Sequence, residues 1–185
     1  MKVSLTSVLP ALAPCLGLTS QALYERKRAL IRLGLLPSPQ GRGRRGGASA
    51  EPSTIALLVT AVMVTDNLSD TDGRVEALAA AEFRGRKHRH CPITGANTFH
   101  EALTFLLSDQ APISVETDTI LEIKVSRLEP MASISYFAWP GLAEPLHTEF
   151  GARGRQREDV LSVNAELRHQ AVLAIREVAL AGKED

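Results

Sequence analysis

Aromatic residues make up only 4% of this 185-residue chain. A core must therefore be assembled mainly from Leu, Val, Ile and Ala rather than from rings. Cysteine is almost missing: Cys15 and Cys91 are the only two. That excludes a disulfide scaffold and makes a reducing cytoplasm the simplest compartment. No apolar run reaches the roughly 18 residues of a membrane span. The longest, Ile55 to Val64, ends at Thr65 and Asp66. Met1-Lys2-Val3-Ser4 carries a charge, but Pro10 and Pro14 interrupt the apolar residues behind it, so no signal peptide is expected. CxxC, GxGxxG, the P-loop pattern, HExxH and GxSxG are all lacking. Such a chain is expected not to be an enzyme and to carry neither metal nor cofactor.

Net charge is also lacking, with 21 basic and 21 acidic residues. The balance hides an asymmetry. Residues 1–50 hold eight basic residues (Lys2, Arg26, Lys27, Arg28, Arg32, Arg42, Arg44 and Arg45) against the single acid Glu25. The remaining 135 residues hold 13 basic and 20 acidic ones. A basic front end on an acidic remainder is a pattern of nucleic-acid-binding chains. An apolar content of 44% is enough for a folded core, and the length allows one or two domains.

The basic region has internal order. Leu5, Val8, Leu9, Leu12 and Leu16 recur at helical spacing, with Pro14 implying a kink or a short helix. Gly17 fits a turn, and Thr19 or Ser20 suits a helix N-cap. From Gln21 the pattern is helical again: Ala22, Leu23, Arg26, Ala29, Leu30 and Leu33 share a face, until Gly34 and Pro37 stop it. Residues 38–49 are rich in Gly and Arg and read as an exposed loop, wing or tether.

A short apolar helix, a glycine turn, a polar cap and a basic amphipathic helix form the layout of a helix-turn-helix. With the run Leu23 to Pro37 (LYERKRALIRLGLLP) and the Gly41–Gly46 stretch behind it, the first 50 residues resemble winged helix-turn-helix domains of bacterial and phage regulators. By that resemblance the recognition helix is Thr19 to Leu33 and the wing Ser38 to Gly47. Ser20, Gln21, Tyr24 and Glu25 then face base edges. Arg26, Lys27, Arg28, Arg32, Arg42, Arg44 and Arg45 meet phosphates. The plainer alternatives are a helical hairpin with a basic surface, or RNA binding. No paired aromatics interleave with the basic residues to stack unpaired bases, which disfavours RNA.

The remainder changes character. A helix is expected to start at Glu51-Pro52-Ser53, capped by Ser49 or Ser53, and to be buried from Ile55 to Val64; a second from Asp72 to Phe83 behind Asp70 or Thr71; a third from Thr98 to Ser108. Residues 120–126 alternate as a strand and residues 132–138 read as a second, joined by a hairpin at 127–131. A short strand near His147–Phe150 is also allowed. Residues 157–181 read as a final helix. The expected fold is α+β, mainly helical: a winged helix-turn-helix unit over 1–48, then a helical region over 51–185 with a small antiparallel hairpin and a C-terminal helix.

Chemistry-bearing residues are sparse. His88, His90, Cys91 and His100 invite a metal reading, but their spacing is no known finger, and Lys87 and Arg89 oppose a cation. His147 and Glu149 are not marked as a pair. Asp66, Asp70 and Asp72 read as helix caps. Tyr136, Phe137 and Trp139 read as core, with a ligand pocket or subunit interface as the alternative. The expected function is a cytoplasmic DNA-binding protein, a sequence-specific transcriptional regulator acting on double-stranded DNA as a homo-oligomer, a dimer first. The apolar helix 55–64 and the tail helix 160–178 are its candidate contact surfaces, packing within one chain being the equal alternative for both. A DNA-recognition subunit of a phage packaging machine, like a small terminase, and a protein-interaction module without nucleic acid are the alternatives.

Overall fold

The computed structural model describes residues 3–38, 47–65, 71–85, 88–114, 116, 118–151 and 163–181. Ten elements succeed one another along the chain: α1 (Leu5–Cys15), α2 (Ser20–Arg32), α3 (Pro52–Val64), α4 (Thr71–Ala79), α5 (Phe99–Leu106), β1 (Ile120–Ser126), β2 (Ala132–Ala138), β3 (Leu146–Phe150), β4 (Asn164–Arg168) and α6 (His169–Ala181). The architecture is α+β, as composition and periodicity suggested. The strands make one antiparallel sheet in the order β3-β2-β1-β4.

Helix α3 occupies the centre. Nine of its thirteen residues are buried, including Thr60, whose hydroxyl is absorbed by the Ala56 carbonyl at 2.8 Å. Helices α2, α4 and α5 pack around it, and with α6 it lies against β1 and β4. Such a helix, apolar on nearly every side, has no free face. Helix α6 buries Val172, Leu173, Ile175 and Ala179 and packs on α1 and the sheet. Of the helices offered by sequence as oligomerisation surfaces, α3 is thus largely covered within the chain, and α6 is covered along that one stripe. Leu5, Leu12, Leu23 and Leu30 belong to the same buried cluster as Ile123, Val172 and Ala179.

Several sequence expectations need correcting. The final helix begins at His169, because Asn164–Arg168 pairs with β1 as an edge strand. Its alternation, with Leu167 buried between exposed Glu166 and Arg168, has period two, which a helical reading of the long tail smoothed over. Residues 152–162, including Val160 and Leu161, lie outside the described residues. Helix α4 stops at Ala79 rather than Phe83. Glu82 and Phe83 instead bridge Thr98 and Phe150, and Arg84 donates its N–H to the Glu149 carbonyl at 2.8 Å. Helix α3 takes Glu51 as N-cap without a side-chain hydrogen bond, with Pro52 supplying the helical φ of its first turn, so neither Ser49 nor Ser53 caps it. Asp66, Asp70 and the side chain of Asp72 lie outside the described residues.

Helix α1 runs through both prolines without ending. Pro10 and Pro14 are exposed and stand four residues apart on the solvent side, while Leu5, Leu9, Leu12 and Ala13 form the buried stripe. A proline ring on the outer face removes a donor where water can serve the carbonyl left behind. Helix α5 carries a full capping box: Thr98 Oγ1 accepts from Glu101 N at 3.2 Å, and Glu101 accepts from Thr98 N at 3.2 Å.

Candidate nucleic-acid interface

The turn between α1 and α2 is a closed structure. Leu16 caps α1. The N–H of Gly17 then donates to the Pro14 carbonyl at 3.2 Å and that of Leu18 to the Ala13 carbonyl at 3.0 Å. This pair of hydrogen bonds is a Schellman motif, which requires a left-handed residue at Gly17, where φ is +64°. The chain emerges at Thr19, whose hydroxyl accepts from the Ala22 N–H at 3.1 Å and starts α2. Helix α2 ends on the same device, with Gly34 at φ +73° and Leu35 N donating to the Leu30 carbonyl at 3.0 Å.

Between these stops the helix is two-faced. Leu23, Arg26, Lys27 and Leu30 stand at i, i+3, i+4 and i+7 and form the buried stripe. Ser20, Gln21, Tyr24, Arg28 and Arg32 are exposed on the other side. Gln21 Nε2 donates to Glu25 Oε1 at 2.9 Å, and Glu25 Oε2 meets Arg28 Nη1 at 3.4 Å. Glu25 thus holds Gln21 and Arg28 in one row.

Arg26 and Lys27 therefore depart from the phosphate-contacting role assigned by sequence. Each is 8% exposed. Arg26 Nη2 donates to the Thr65 carbonyl at the C-cap of α3, at 3.4 Å. Lys27 Nζ donates to Thr6 Oγ1 of α1 and lies 5.3 Å from the centre of the Tyr24 ring. Burial lowers the Lys27 pKa below its ordinary value. These two cations fasten α2 to α3 and α1. Arg42, Arg44 and Arg45 lie outside the described residues, as does Lys2. Beyond the segment holding those arginines the chain returns alongside α1: Leu5 N donates to the Ala48 carbonyl at 2.8 Å, and Ala50 N to the Val3 carbonyl at 2.9 Å.

The other candidates disperse. His90 Nδ1 bonds the Asn97 side chain, and His100 sits on α5. Cys91 is buried with Sγ 4.0 Å from Tyr136 Oη. Among the described residues no group of three His, Cys, Asp or Glu is placed to hold a metal. Burial, with Cys91 beside it, pushes the Tyr136 phenol far above its ordinary pKa.

One grouping escaped sequence reading. His147 Nδ1 lies 2.9 Å from Ser135 Oγ, and His147 Nε2 lies 3.7 Å from Glu149 Oε1. The i, i+2 spacing on β3 was the available signal, since alternate strand residues share a face. The group stands on the open outer side of the sheet, with His147 54% exposed, so solvent screens its charges.

Comparison of the chain with protein-family models, with curated proteins and with solved structures finds no match.

Proposed function

We propose that the protein binds double-stranded DNA through the exposed face of α2 and acts as a sequence-specific transcriptional regulator, working as a dimer across a two-fold site. One observation carries this reading: a helix started by a capped turn presents Ser20, Gln21, Tyr24, Arg28 and Arg32 together, while its opposite stripe is locked to α1 and α3. A recognition helix needs polar side chains for base edges in its first turns, cations for phosphates along its flank, and a rigid back. Short polar groups at Ser20 and Gln21, arginines at Arg28 and Arg32, and the Arg26 and Lys27 anchors meet those needs in that order. Arg42, Arg44 and Arg45 come after α2 in the sequence and add cationic reach, the role that the winged helix-turn-helix resemblance assigns to them.

Selection of bound duplexes from a random pool, with mass measurement in solution, tests the proposal. A regulator enriches a two-fold site with half-sites about one helical turn apart and has the mass of a dimer. Failure to enrich any sequence, with a ring-sized assembly, points to a packaging role instead. Absence of any retained duplex at low ionic strength ends the nucleic-acid reading.

A further inference from the structure

At one end of the sheet, residues 118–119, 137–140 and 142–145 line an open cleft of about 340 Å³ to which α2 contributes nothing. Phe137 lines it with a side chain 52% exposed, a large apolar surface to leave in water. Trp139 lines it too and is the single tryptophan of the chain. Its indole is held by the buried Tyr136 ring in a T-shaped pair, centroids 5.1 Å apart at 79°. The loop beyond it is equally firm. Pro140 and Gly141 (φ +84°) occupy the middle of a turn closed by Leu142 N donating to the Trp139 carbonyl at 3.0 Å, the residue pattern of a type II turn.

The charge of the cleft has one sign. Asp118 and Glu144 are the ionisable residues lining it, and neither is paired with a cation among the described residues. Aromatic faces attract cations, carboxylates add to the attraction, and apolar side chains accept alkyl groups. An anion is repelled, and a neutral apolar ligand makes no use of the two carboxylates. The volume is of the order of small-molecule sites.

We propose that the cleft bounded by Phe137, Trp139, Asp118 and Glu144 binds a small organic cation of the alkylammonium class. Its alkyl groups lie on Leu142, Pro145 and the rings, and its charge faces the two carboxylates. No residue of α2 lines the site.

Trp139 reports on the site directly. The full chain is titrated with choline chloride at low ionic strength, since both carboxylates are exposed and screened by salt. Tryptophan emission and calorimetry are followed in parallel, with sodium chloride and the neutral isostere 3,3-dimethylbutanol as controls. Saturable choline binding is expected, with the alcohol weaker by about tenfold or more. The Asp118→Asn/Glu144→Gln double variant should weaken choline by about tenfold, and Phe137→Leu should weaken it as well. Arg28→Ala should leave it unchanged. No saturable response by either method, equal binding of the alcohol, or undiminished binding by the double variant overturns the proposal. None of these results bears on DNA retention, which is measured separately.

Discussion

Arg26 of α2 donates through Nη2 to the carbonyl of Thr65 at 3.4 Å, a partner 39 residues further along the chain. Thr65 is the C-cap of α3, so the guanidinium sits at the negative end of the central helix dipole. A residue with the chemistry of a phosphate contact is instead a fastening between two helices.

Arg26 and Arg28 should consequently behave in opposite ways. Arg26→Ala is expected to lower unfolding free energy by about 1–3 kcal/mol, because it strips buried carbonyls of a charged donor. Arg28→Ala should change stability by less than about 0.5 kcal/mol, its ion pair with Glu25 being exposed. Chemical denaturation of both variants checks the contrast, and equal losses would contradict it.

The α1–α2 turn depends on one backbone conformation. Gly17 has φ +64° and no atom within 4 Å of where a Cβ would stand, so the penalty of a side chain is conformational rather than steric. Gly17→Ala should destabilise by about 1 kcal/mol and Gly17→Asn by less, since asparagine tolerates the left-handed region. Thermal unfolding of the two variants decides whether that order holds.

Stability should fall on mild acidification. Burial lowers the pKa of His100, against a smaller opposing effect of Glu101, and burial lowers that of His169. The unfolded chain therefore binds protons at these sites more readily than the folded one does. Unfolding free energy then rises with pH across the window below the ordinary histidine value of about 6.5, and is lost as pH falls through it. The double variant His100→Gln/His169→Gln should show a flatter melting-temperature profile between about pH 7.5 and 5. An unchanged profile would place the dependence on other groups.

What could be read from the residues was uneven. Strands β1 and β2 fall on the residues expected of them, and in β1 the alternation holds, because Leu121, Ile123 and Val125 face the core between outward-facing neighbours. Helices α3 and α5 were legible from apolar density. The length of α1 was hidden by Pro10 and Pro14, which are harmful only when their missing donors face the interior. Strand β4 was hidden because five residues of weak alternation adjoin a strongly helical tail. On α2 the signal was present and misjudged: Leu23 and Leu30 at i and i+7 place positions 26 and 27 on the buried stripe, whatever their charge. The cleft at Trp139 is lined mostly from residues 137–145, where the cluster of Tyr136, Phe137 and Trp139 already allowed a ligand pocket beside core packing; no local pattern announces that Asp118 and Thr119 join it.

The outer face of α2 is where duplex DNA is proposed to lie, and the salt dependence of duplex binding tests that most directly. Affinity for a random-sequence duplex is measured over rising salt for the natural chain and for Arg28→Ala/Arg32→Ala. The logarithmic slope should become shallower by about two in the double variant, one for each lost phosphate contact, with folding intact. An identical slope, or no binding by the natural chain at low ionic strength, would contradict the claim that this face meets DNA.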